Sequence, residues 1–288
     1  MTSNMERRVA FAAVAIPAAF GLVWLGGWPL VVLVALAGVL GTRELYGFAE
    51  RQGLSPWRPF GLVLAVCFAP AMWAVSRSEA AVAFAAQALP YLPGLLLVLL
   101  LLGTLARLTP DQRPLASAAV TLFGAIYAGA LPAFLVAIRH EGHGTRSWAG
   151  TALVFMPLVI TWVCDSAAMF VGQRMGGAKL WPSVSPGKTW SGAVGGFLAA
   201  LLVAPVYHRV ALAPAGVDFP VWQGLLVAAG VGSLGQLGDL AESLFKREVG
   251  LKDSSDLIPG HGGVLDRFDS LYVVLPVTAA LYRLFGVI

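Results

Sequence analysis

Apolar residues run along this chain in long blocks separated by short polar breaks, from residue 9 to residue 288. Blocks approaching the about 20 residues that a spanning helix needs fall near 9–25, 28–48, 60–76, 80–106, 116–138, 151–172, 191–208, 221–246 and 270–288. They predict an all-α polytopic integral membrane protein with about nine transmembrane helices. The block at 80–106 is the least regular, because Pro90 and Pro93 divide it. It predicts either one kinked span or a surface helix followed by a short span. Arg7 and Arg8 precede the first block as in a signal peptide, yet no cleavage site follows and the second block begins at once, so it is expected to be retained.

Composition agrees with the pattern. Hydrophobic residues make up 58% and mean hydropathy is +0.79, against roughly 45–50% apolar residues in a soluble domain. The net charge of +4 matters less than where the basic residues lie. With the N-terminus in the cytoplasm, only Arg77, Arg139, Arg146, Arg209 and Arg283 of the 19 fall on the far side. That asymmetry predicts the N-terminus inside and the C-terminus outside, and a compact chain without a long soluble extension suits a bacterial inner membrane. Nucleic acid is not an expected partner. Cys67 and Cys164 lie within apolar blocks and predict small buried hydrophobes rather than a disulfide. The chain reads as one continuous membrane domain, with residues 1–150 as scaffold and 151–288, richer in charged breaks, as the catalytic region.

Charge concentrates in one place. Residues 239–269 hold seven of the 15 acidic residues (Asp239, Glu242, Glu248, Asp253, Asp256, Asp266 and Asp269), together with Lys246, Arg247, Lys252, Arg267 and His261. Asp239, Glu242, Ser243, Lys246 and Arg247 share one helical face, and Asp239 lies deep enough to be costly without a partner or a function. The glycines beside His261, Gly262 and Gly263, predict a backbone able to approach phosphate oxygens. Asp266 and Asp269 are three apart at the head of the last block, and two close carboxylates favour a hard cation such as Mg²⁺ between them. Asp165 stands near the end of the sixth block, and a predicted loop from Lys179 to Trp190 follows it. Gly187-Lys188-Thr189 imitates the end of a P-loop, but Pro182 occupies the place of that motif's first glycine. His140 and His143 are expected in a solvated outer loop. Glu44 is expected to be a local ion pair or a distant member of the site.

The stretch Ser243 to Asp269, SLFKREVGLKDSSDLIPGHGGVLDRFD, resembles the signature of the phosphatidate cytidylyltransferase (CDP-diacylglycerol synthase) family. That signature is S-x-hydrophobic-K-R, four residues, K-D, then a short segment to H-G-G-hydrophobic-x-D-R-hydrophobic-D. The resemblance extends upstream through Asp239 and through Asp165 with Ser185-Pro186-Gly187-Lys188-Thr189, and so covers roughly residues 151–288. Ser166 to Met169 depart from it, since the family usually has a Gly and an aromatic after the Asp.

The resemblance implies transfer of a cytidylyl group from CTP to phosphatidate at the cytoplasmic face. It implies catalytic roles for Asp239, Lys246, Arg247, Asp266 and Asp269. Asp239, Asp266 and Asp269 would hold Mg²⁺, with room for a second cation such as K⁺. Substrate contacts would come from Asp165, Ser185, Lys188, Thr189, Ser243, Lys252, Asp253, His261, Gly262, Gly263 and Arg267. The implied partners are CTP and phosphatidate, and a homodimer is compatible with the family. Two readings stay open beside it. One is a cytidylyltransferase or kinase acting on another lipid, which substrate choice would distinguish; the other is an ion-coupled transporter, which would show broken helices in both halves.

Overall fold

The computed structural model describes residues 2–258 and 262–288, without the side chains of residues 2–12. Apolar blocks become helices because a chain in lipid must satisfy its backbone groups internally. In order they are α1 (Thr2–Leu25), α2 (Gly27–Arg51), α3 (Arg58–Val75), α4 (Glu79–Ala88), α5 (Leu92–Arg107), α6 (Pro114–Gly124), α7 (Leu131–His140), α8 (Trp148–Met175), α9 (Trp190–Tyr207), α10 (Val221–Glu248), α11 (Leu265–Phe268) and α12 (Leu271–Leu284). A π-type turn, Ala125–Ala130, joins α6 to α7 as one rod from Pro114 to His140.

Among the described residues six helices are long and apolar enough to cross a membrane, and a seventh span results if α4 and α5 count together. Those two meet at a 58° bend, at the prolines that divided the sequence block. The other two predicted spans correspond to α1, whose described apolar part is Ala13–Leu25, and to the 14-residue α12.

One expected loop is not a loop. Residues 179–189 form an antiparallel hairpin, β1 (Lys179–Trp181) with β2 (Ser185–Thr189), in register Lys179↔Thr189 and Trp181↔Ser185. Among the described residues the otherwise helical fold thus carries one small sheet. Thr189 then caps α9, its Oγ1 accepting the Gly192 N–H at 3.1 Å.

Small residues bring the helices around the hairpin together. A Cβ on Gly192 would lie 2.5 Å from the Ala168 carbonyl, and one on Gly196 would lie 2.6 Å from that of Cys164, so α8 and α9 touch backbone to backbone. Gly232 lets α10 close on α9, where a Cβ would meet the Ala200 Cβ at 2.8 Å.

The opposite end of the bundle is closed by Arg139 and His140, which are buried at the end of α7 rather than solvated in a loop. Arg139 donates to the Val23, Trp24 and Gly144 carbonyls at 2.6, 2.8 and 2.9 Å. His140 Nε2 accepts the Gly27 N–H at 2.7 Å, and Nδ1 lies 3.0 Å from the Val136 carbonyl. Arg139 thus meets two of the last carbonyls of α1, and His140 takes the first N–H of α2, groups that would otherwise go unmet.

Candidate active site

An open cleft of ≈ 700 Å³ lies between α8, the hairpin, the start of α9 and α10. Asp165, Ser185, Lys188, Thr189 and Asp239 all line it, so residues up to 74 positions apart, expected to meet, do meet. Lys188 Nζ is 2.8 Å from Asp239 Oδ2. Ser243, one turn along α10, donates to Asp239 Oδ1 at 3.3 Å. The pair is part-exposed to the cleft, with 28% and 29% of the two side chains accessible.

Further along α10 the same helical face turns inward. Lys246 is buried, with Nζ 2.7 Å from Asp266 Oδ1 and 3.1 Å from Glu242 Oε1. The Glu242 contact lies off hydrogen-bond geometry, and neither Glu242 oxygen accepts a hydrogen bond among the described residues. Asp266 Oδ2 accepts from the Ser254 N–H at 2.7 Å, the Ser254 hydroxyl at 2.8 Å and the Gly263 N–H at 2.8 Å. Burial alone would raise its pKa, but the Lys246 ammonium and these three donors outweigh that and hold the carboxyl below its ordinary value.

Both glycines of the turn are explained by this wrapping. Gly262 has φ +78°, and a Cβ there would lie 2.6 Å from Asp266 Oδ2. A Cβ on Gly263 would lie 2.5 Å from Glu44 Oε1 and closer still to the Ser254 hydroxyl. The Gly263 N–H is therefore committed to Asp266 rather than open to a ligand.

The model of the family described as "Cytidylyltransferase family" matches residues 6–285. This chain belongs to the cytidylyltransferase family. It is 32% identical over 283 residues to the phosphatidate cytidylyltransferase of Bacillus subtilis (strain 168), covering 98% of this chain and 99% of that one. The phosphatidate cytidylyltransferase of Synechocystis sp. (strain ATCC 27184 / PCC 6803 / Kazusa) is 30% identical over 294 residues, 94% of each chain. That of Brucella suis biovar 1 (strain 1330) is 44% identical over 165 residues, 57% of this chain and 56% of the relative.

In this member of the cytidylyltransferase family the remaining expected residues are spread around the two clusters. Arg247 donates to the Val184 carbonyl at 3.2 Å and to that of Leu251 at 2.7 Å, tying the hairpin to the end of α10. Lys252, Asp253 and Arg267 are exposed. His261 lies outside the described residues.

Asp269 precedes α12 with its backbone close to α10, where a Cβ on Gly238 would meet its carbonyl at 3.1 Å. Its carboxyl is pushed up to about 6, first by burial and next by the charge of Asp239. A carboxyl raised by a neighbouring carboxylate, both with hard oxygen donors, is chemistry that suits a divalent cation. No group of three or more His, Cys, Asp and Glu side chains is arranged to hold a metal among the described residues. Asp266, expected as a third ligand, has both oxygens occupied by protein donors.

Three polar residues at the site were missed or underweighted by sequence reasoning. Glu44, on α2, accepts four hydrogen bonds from residues 254–265. Two of the donors are Ser254 and Ser255, which carry no sequence signal of their own. Glu44 does carry one, being an acid at the end of an apolar block.

Proposed function

We propose that this chain transfers the cytidylyl group of CTP to phosphatidate, releasing pyrophosphate and leaving CDP-diacylglycerol in the membrane. The observation that carries this reading is the Lys188–Asp239 pair at 2.8 Å in a polar cleft walled by bilayer-length helices. The volume of ≈ 700 Å³ lies within the range of about 300–1,000 Å³ of small-molecule sites. A cleft between spans gives a water-soluble triphosphate and a lipid head group a common meeting place, while acyl chains stay in the bilayer.

The lipid phosphate is already ionised at neutral pH, so its oxygen needs no protein base. It forms a bond to the CTP α-phosphorus as the bond from that phosphorus to the pyrophosphate oxygen breaks. The chain's work is to position groups and neutralise charge. Lys188 exchanges Asp239 for a substrate phosphate. Lys246 and Asp266 fix the wall behind it. Arg247, Lys252 and Arg267, at the same end of the bundle, draw in both anions.

Asp239 and Asp269 are the residues we assign to Mg²⁺, with room for a second cation such as K⁺. Once bound, the cation would neutralise charge on the CTP phosphates. Nine spans with the N-terminus and the active site on the cytoplasmic side of a bacterial inner membrane accord with this reading, because CTP is supplied from the cytoplasm.

Incubation of the purified protein in detergent with CTP, Mg²⁺ and phosphatidate tests the reading. Pyrophosphate release should require all three. Release independent of phosphatidate, or release with a polyprenol and not with phosphatidate, would overturn it.

A further inference from the structure

Glu44 sits on α2, 210 positions before its first partner in the loop that leads to Asp266. Its carboxylate takes four donors. Oε1 accepts the Ser255 hydroxyl at 2.7 Å and the Val264 N–H at 3.0 Å; Oε2 accepts the Ser254 hydroxyl at 3.0 Å and the Leu265 N–H at 2.9 Å. The two N–H groups stand at the start of α11, where helical backbone donors lack partners of their own. Charge-assisted bonds of this kind are about twice as strong as neutral ones.

The Ser254 hydroxyl also lies 2.8 Å from Asp266 Oδ2, so its one proton is shared between the two carboxylates. Gly263 threads between them with no room for a side chain. The chain of contacts thus runs Glu44, Ser254, Asp266, Lys246.

From this geometry we infer that Glu44 is a positioning residue for the cytidylyl transfer. It touches no substrate. It fixes residues 254–255 and 264–265, and through them the placement of Asp266 and Lys246, from a helix in the half of the chain that otherwise reads as scaffold. The inference rests on the proposed reaction, and its test includes a readout that does not.

Glu44→Gln keeps the size of the side chain but replaces one acceptor oxygen with an NH₂ group. We expect faster amide hydrogen exchange confined to residues 254–265, at an unchanged elution volume. Turnover with CTP and phosphatidate should fall about a hundredfold, the scale of a displacement near 1 Å at a reacting centre. The CTP KM should change far less. Ser255→Ala removes one donor and leaves the charge, and should lower turnover in the same direction by a smaller factor. It also decides the matter if Glu44→Gln fails to fold.

Glu44→Asp, which keeps the charge, should recover part of the turnover lost in Glu44→Gln. Wild-type exchange in the loop, or wild-type kcat in both Glu44→Gln and Ser255→Ala, would overturn the inference. If the unmodified protein releases no pyrophosphate with phosphatidate, the proposed reaction falls instead, and loop exchange still reads what Glu44 holds.

Discussion

At the scale of single residues, the carboxylates of this site divide by what already surrounds them. Asp266 is saturated by Lys246, Ser254 and Gly263. Asp266→Asn would leave Lys246 with Glu242 as its one charged partner among the described residues, and removing one charge of a buried pair costs about 3–5 kcal/mol. Its expected signature is lost turnover with a lowered melting temperature in detergent and little change in the Mg²⁺ needed for half-maximal rate. Asp239→Asn should differ, raising the Mg²⁺ requirement with less effect on melting, as a titration of activity against Mg²⁺ would show.

Asp269 gives a pH dependence. Its carboxyl lies at about 6 against an ordinary 3.8, so between those values the folded state binds more protons than the unfolded one. Metal-free stability should therefore fall as pH rises through that window. Asp269→Asn should flatten the slope in thermal scans with a chelator, whereas an unchanged slope would remove Asp269 as its source. Gly263→Ala places a Cβ against Glu44 and Ser254, and overpacking of that kind costs about 1–3 kcal/mol. Loss of turnover should accompany that loss of stability.

At the scale of elements, helices were legible and their company was not. Hydropathy located the apolar blocks because each must satisfy its own backbone in lipid, and Pro90 and Pro93 marked the bend between α4 and α5. The face shared by Asp239, Ser243 and Lys246 followed from helical spacing, and Lys188 beside Asp239 accords with the resemblance to the family. The hairpin at 179–189 escaped, since its strands are three and five residues long and carry Pro186 and Gly187, which read as loop. Ser254 and Ser255 escaped because a short polar side chain acquires its role only from the acids it lies between. Arg139 and His140 looked like outer-loop polarity, yet the Arg139 donors were claimed by the end of α1 and the His140 acceptor by the start of α2. Gly192 and Gly196 set the spacing of α8 and α9. Gly196→Leu should force the pair apart, lowering the melting temperature and raising the CTP KM, with the lipid chains' contribution changed less.

At the scale of the whole molecule, two ends of the bundle are distinguishable. Glu44 with Ser254 and Ser255, Lys188 and Arg247 gather at one, and Arg139, Glu141 and Arg283 at the other, where Arg283 pairs with Glu141. With Cys67 and Cys164 replaced by Ala, a cysteine at Asp111 should react with an impermeant reagent only from the cytoplasmic side, and one at Gly144 only from outside. The reverse pattern would turn the proposed orientation over. The bond between Glu44 and Val264 also spans 220 positions. At a synthesis rate of about 5–20 residues per second, α2 is in the membrane for roughly 10–40 s before its partners exist. Through that interval Glu44 is hydrated, and the site cannot assemble ahead of the last loop to leave the ribosome. Residues 151–288 made alone would insert their helices but lack the acceptor that orders that loop, and adding residues 1–150 on a second chain is the way to give it back.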